Sequence, residues 1–219
     1  MLRRFLLLIS AIGIFSACAT ENNIYIDRTN SHMSLETQLK LLGDLGITPN
    51  SNITLDDFLY TWHREDYESK PFELLLFTLG IEAEREPYGR NFFDHAWNFD
   101  TEAIYQSGDY IEIIKKLCDV SGQTKCLTDV RDSIDFDAKS GWVEYRFGGS
   151  LRKWNLKVND DWADLEVLYR VTKDIETGDS HFYFIDNGQA MVLYYLTEKT
   201  AQKINKLSNG LLLPVVSNP

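Results

Sequence analysis

Apolar residues recur at helical spacing through Leu35, Leu39, Leu42 and Leu45, between Ser34 and Gly46. This predicts an amphipathic helix with a serine cap and a glycine stop. Residues 47–52 are turn-rich, and Thr54 with Asp57 has the spacing of a capping box, opening a second helix with the stripe Phe58, Leu59 and Trp62. The charged stretch 63–70 reads as a solvated separator. Pro71 suits the first position of a third, buried helix over 72–79, with a buried strand as the alternative for so short a run. Residues 88–98 read as an aromatic loop, with Phe92, Phe93, Trp97 and Phe99 available to fill a core. A short strand over 103–105 and a helix over 110–118, striped by Ile111, Ile114 and Leu117, complete this half.

Beyond residue 126 the period changes to two. Ile134 and Phe136 alternate with acids, Val143, Tyr145 and Phe147 alternate with Glu144 and Arg146, and Trp154, Leu156 and Val158 alternate with Asn155 and Lys157. Gly148-Gly149 predicts a hairpin turn between the latter two strands. Asp160 or Asp161 is placed to cap a helix in which Leu165, Leu168, Val171 and Ile175 face inward, closed by Gly178. A second hairpin over 181–185 and 190–196 turns at Asp186-Asn187-Gly188. Thr197 caps a last helix carrying Ala201, Ile204 and Leu207, which ends at Asn209-Gly210. The order strand–strand–helix thus occurs twice. The expected class is α+β, with an N-terminal helical part and then a largely antiparallel sheet whose strand–strand–helix units pack on one face.

The N-terminus changes the picture. Arg3 and Arg4 precede an apolar run over 5–15, too short for a spanning helix of about 20 residues, and Ser16-Ala17 brings small residues before Cys18. That is the layout of an export signal. The stretch Phe15-Ser16-Ala17-Cys18 resembles the signal of bacterial lipoproteins, with Phe15 where leucine is usual. The resemblance implies cleavage after residue 17, lipidation of Cys18 (palmitate among the acyl groups) and a membrane contact through that lipid. Ala19, rather than aspartate, resembles an outer-membrane address facing the periplasm in a host with two membranes. The expected organisation is a signal over 1–17, a polar tether over 18–33 whose only apolar cluster is Ile24, Tyr25 and Ile26, a helix-rich part over 34–126 and an α+β part over 127–219, with one continuous domain over the last two parts as the alternative.

Charge and cysteine fit export. The 219-residue chain has a net charge of −11. Loss of Arg3 and Arg4 leaves 20 Lys and Arg against 33 Asp and Glu, a net charge of −13. Such a surface repels nucleic acid and favours a basic protein partner. Cys118 and Cys126 form a disulfide candidate for an oxidising compartment, worth about 2 to 3 kcal/mol by loop closure. Two free thiols or a redox pair are the alternatives, the latter disfavoured by the wide spacing.

Chemistry-bearing motifs are sparse. His32, His63, His95 and His181 lie outside any zinc spacing, so no metal and no cofactor is expected. Asp94-His95 offers an acid beside an imidazole, and Glu82, Glu84 and Glu86 offer carboxylates to a sugar or cation. Asp56-Asp57 and Asp160-Asp161 read as helix-cap acids rather than a calcium loop. Trp142, Trp154, Trp162, Tyr194 and Tyr195 are able to stack on a ligand, although strand alternation assigns about half of them to a core. The preferred expectation is a binding protein of the cell envelope. In general character it resembles the acidic lipoprotein immunity proteins that neutralise toxins, with Glu82, Glu84, Glu86, Phe92 and Phe93 in the contact segment 82–99. An envelope hydrolase using Asp94 and His95 with the carboxylates, and a structural or assembly lipoprotein, are the alternatives.

Overall fold

A computed structural model describes residues 32–123 and 126–216. The expected signal, the lipid site Cys18, Ala19 and the cluster Ile24, Tyr25 and Ile26 lie outside the described residues. Among the described residues no helix is long and apolar enough to cross a membrane. The fold is α+β, with N-terminal helices followed by antiparallel strands.

Four helices come first. In α1 (Leu35–Gly43) the Ser34 hydroxyl accepts from the Thr37 N–H. Met33, assigned to the tether by sequence, packs against the helical core. In α2 (Leu55–Thr61) the Asp57 carboxylate accepts from both the N–H and the hydroxyl of Thr54. The charged stretch read as a separator is itself a helix, α3 (Arg64–Ser69). Tyr67 turns inward to donate to the Phe58 carbonyl, and the Glu68 carboxylate accepts the Leu35 N–H. Pro71 does not open the next helix, α4 (Glu73–Leu79), because Phe72 is left-handed at φ 71°. That geometry is held by burial of the Phe72 ring and by Gln38, whose side chain accepts the Phe72 N–H at 2.8 Å.

The expected strand over 103–105 is absent. The strand in this region is β1 (Ala96–Asp100), inside the segment read as a loop. Its partner lies far along the chain, so no local turn announces it. Helix α5 (Asp109–Val120) follows, then β2 (Thr128–Asp135), β3 (Ser140–Phe147) and β4 (Ser150–Lys157). Cys118 and Cys126 form a disulfide that closes the α5-to-β2 connection. The cap of α6 (Leu165–Ile175) is Asp164, not Asp160 or Asp161. Asp164 accepts the N–H groups of Lys157, Glu166 and Val167, and its own N–H donates to the Tyr110 hydroxyl, whose pKa burial pushes up to about 12. Leu165, expected inside, is 47% exposed. The second hairpin is β5 (Ser180–Asn187) with β6 (Ala190–Thr197), followed by α7 (Glu198–Ser208) and the short β7 (Leu213–Pro214).

The strands form two sheets, ordered β1-β6-β5-β7 and β2-β3-β4. The two strand–strand–helix units therefore do not share one sheet. The first sheet is covered on both faces. Val192, Tyr194 and Leu196 of β6 enter a core with α1 to α4 and α7, while Leu193 of β6 and Phe182 of β5 enter a second core with α5, α6 and the three-stranded sheet. Double burial explains why residues 190–197 lack alternation. Because β1 pairs with β6 and α7 packs into the N-terminal core, the parts over 34–126 and 127–219 interlock.

The Gly80 carbonyl, just past α4, accepts the Asn98 N–H of β1 at 2.6 Å. A methyl group at Gly80 would fall well inside contact distance of Val192 Cγ1, which is fully buried. Gly80→Ala is expected to cost about 2 kcal/mol by overpacking, measured as a lower urea midpoint with an unchanged m-value.

Candidate functional site

The segment that carries the predicted acids, residues 81–91, is a loop returning on itself. Glu82 bridges Asn91, Ala83 N–H donates to the Arg90 carbonyl at 2.8 Å and Phe92 N–H to the Ile81 carbonyl at 3.1 Å. Arg90 holds its interior. The guanidinium donates to the carbonyls of Pro87, Arg85 and Asn52 at 2.6, 2.9 and 2.7 Å, and to both carboxylate oxygens of Asp57 at 2.7 and 3.1 Å. Only 10% of the Arg90 side chain and 3% of the Asp57 side chain remain exposed. The guanidinium beside Asp57, with the Thr54 hydrogen bonds, outweighs desolvation and holds its carboxyl far below the usual carboxylate range.

This anchoring leaves the outer surface of the loop acidic and aromatic. Glu82, Glu84 and Glu86 are exposed, and Tyr88 is 69% exposed. The Thr61 hydroxyl donates to Glu84 at 2.8 Å, and Arg85 lies 3.5 Å from Asp56, so the exposed side of α2 is continuous with the loop. On its other flank Glu82 lines an open cleft with Asp109 and Glu112 of α5, balanced there by Lys116. Sequence distance hid that grouping.

Phe92 and Phe93 belong elsewhere. They are 2% and 7% exposed, inside the N-terminal core, where Phe92 packs on Phe58 at 4.7 Å between ring centres. They offer no contact surface to a partner, and their role is to root the loop. Asp94 and His95 do not form a dyad. The Asp94 carboxylate accepts from the Asn50 amide at 2.7 Å, whereas His95 Nδ1 lies 2.8 Å from the Val120 carbonyl and so carries the proton it donates. No protein family, curated protein or solved structure matches this chain.

The other histidines are dispersed. His32 faces Glu65 and Glu68, His63 precedes α3, and His181 Nδ1 meets Glu176 at 3.1 Å. Among the described residues no group of three or more His, Cys, Asp or Glu is arranged to hold a metal ion. The aromatic candidates are mostly engaged. Tyr194 donates to the Leu76 carbonyl, Trp154 donates to the Tyr145 hydroxyl at 3.1 Å, and the Lys153 ammonium caps the Trp142 ring at 4.0 Å. Trp162 is partly exposed.

Arg90 is the residue that sequence reasoning missed; its partner Asp57 was read only as a helix-cap acid. No motif joins them. Removing one partner of such a buried pair leaves an uncompensated charge, so Arg90→Ala and Asp57→Ala are each expected to cost about 3 kcal/mol or more. Because the folded-state pKa of Asp57 lies below its unfolded value of about 3.9, the pair's stabilisation is complete above that value. It is lost as pH falls through the lower, folded-state pKa. Urea titrations from neutral to acid pH should show this decline in the native protein and a shallower one in Asp57→Asn.

Proposed function

We propose that this chain is a lipid-anchored binding protein of the bacterial envelope, captures a basic protein, and acts as an immunity protein if that partner is a toxin. The observation that carries the reading is the loop over 81–91, which displays Glu82, Glu84, Glu86 and Tyr88 from a backbone pinned by Arg90. A preorganised loop loses little conformational freedom on association, and that saving appears as affinity. Tyrosine among acids supplies contact area at low entropic cost, while the carboxylates steer a cationic partner and reject anionic ones. The net charge, −11 for the full chain and −13 after loss of Arg3 and Arg4, extends the same field over the molecule.

In this reading the lipid on Cys18 supplies the membrane contact, with the periplasmic face of the outer membrane as the location in a host with two membranes. Acyl chains on one cysteine hold the protein without a second signal, each buried methylene contributing about 0.8 kcal/mol. Radiolabelled palmitate supplied to cells should enter the native protein and not the Cys18→Ser variant; labelling of both would refute the lipid site.

The partner surface is tested on the full chain carrying Cys18→Ser. Envelope extracts of the native cell and of its competitors are expected to yield one stoichiometric basic partner, released at high salt. Replacing Glu82, Glu84 and Glu86 together by lysine should then slow association roughly tenfold or more and weaken its salt dependence. Unchanged association of that triple variant would exclude the loop as the contact surface.

A further inference from the structure

A cavity of about 330 Å³ opens between the second face of the four-stranded sheet and the helices α5 and α6. Phe99 of β1 and Leu193 of β6 line it from the sheet, and Ile113, Leu117 and Leu168 line it from the helices. Its volume is roughly twice that of an engineered apolar cavity of about 150 Å³ that stays dry and accepts benzene. It also falls within the size range of small-molecule sites.

Among the described residues, the carboxylate and hydroxyl groups in the lining come from one helix, α6. The Thr172 hydroxyl is already donated to the Tyr169 carbonyl at 2.7 Å, and the Glu166 carboxylate is paired with Arg170 at 2.9 Å. The walls contributed by the sheet and α5 are apolar side chains apart from the Trp97 indole N–H and the Met191 thioether, so a polar group carried deep among Phe99, Leu193, Ile113 and Leu117 would forfeit its hydrogen bonds with water. Two lining residues are unusually exposed for their type, Leu165 at 47% and Val216 at 66%, which makes an apolar approach to the cavity. Among the described residues Glu166 is the one charged residue in the lining, and because its salt bridge already engages Arg170, a carboxylate on the ligand would meet no free cation there.

We propose that this cavity binds a single aliphatic chain ending in an uncharged group, an alcohol or an ester. The chain fills the space between Leu193, Ile113 and Leu168, and its end group stays toward Leu165 and Glu166. The site is independent of the loop over 81–91, and either reading survives failure of the other.

The test uses the full chain with Cys18→Ser and a series of n-alkanols, titrated by displacement of a neutral naphthylamine dye. One saturable site is expected, with affinity rising roughly fourfold per added methylene until the cavity is full, the equivalent of about 0.8 kcal/mol. The matching alkanoate at neutral pH should bind more weakly by roughly tenfold or more, because its carboxylate would shed water without gaining a cationic partner. Leu165→Trp, at an exposed position that tolerates the larger ring, should weaken alkanol binding. Trp97 also lines the cavity, so a terminally brominated alkanol should quench fluorescence in the native chain and quench less in Trp97→Phe. Absence of saturable binding, no dependence on chain length, or equal quenching in Trp97→Phe would overturn the proposal.

Discussion

Strand β6 is covered on both faces, and the rest of the molecule is arranged around that constraint. Val192 and Tyr194 on one side and Leu193 on the other are all buried, so two separate cores meet across a single layer of backbone. At about 1.5 to 3 kcal/mol for each large side chain fully buried, this strand contributes more than its length suggests. It also fixes the neighbours. β1 and β5 pair along its edges, Gly80 must lack a side chain where α4 passes Val192, and the Tyr194 hydroxyl must find the Leu76 carbonyl.

Around this layer, buried polar groups are used to hold irregular backbone. Gln38 is fully buried and binds the carbonyls of Met33 and Tyr67 and the N–H of Phe72, which lets three segments without shared secondary structure meet. Arg90 does the same for the loop over 81–91. Each such group would be costly if left unpaired, and each is satisfied several times over. The acidic loop is thereby pinned from within, with Glu82, Glu84 and Glu86 exposed on its outer side while the inner pair carries the anchoring.

The second core borders the cavity of about 330 Å³. α5 and α6 approach the sheet from the side that also receives the three-stranded sheet, and Asp164, Tyr110 and the Tyr145–Asp174 hydrogen bond tie those layers together at their margins. In the ligand reading proposed above, these marginal ties would set the spacing of the layers around the space that the guest occupies.

The sequence by itself determined the elements whose signals are local. Ser34, the Thr54–Asp57 box, the Gly148-Gly149 turn, the Thr197 cap and the left-handed Asn209 act through residues three or four positions away, and all occupy the places that pattern assigns them. The α+β class follows from the same short-range information, whereas Cys118 and Cys126 were legible only as a disulfide candidate beside free thiols and a redox pair, and their proximity in the fold decides the pairing. The tertiary structure decided the rest. β1 was hidden because its partner is some hundred residues away, α3 because its apolar content is a single tyrosine, and the Asp164 cap because Tyr110 selects it over Asp160 and Asp161. Of the candidate site, the acids were visible as exposed charge, but the role of Phe92 and Phe93 as its roots and of Arg90 as its anchor was not. Charge and period are properties of neighbouring residues, whereas burial and ion pairing depend on which distant segments the packed cores bring within a few ångströms.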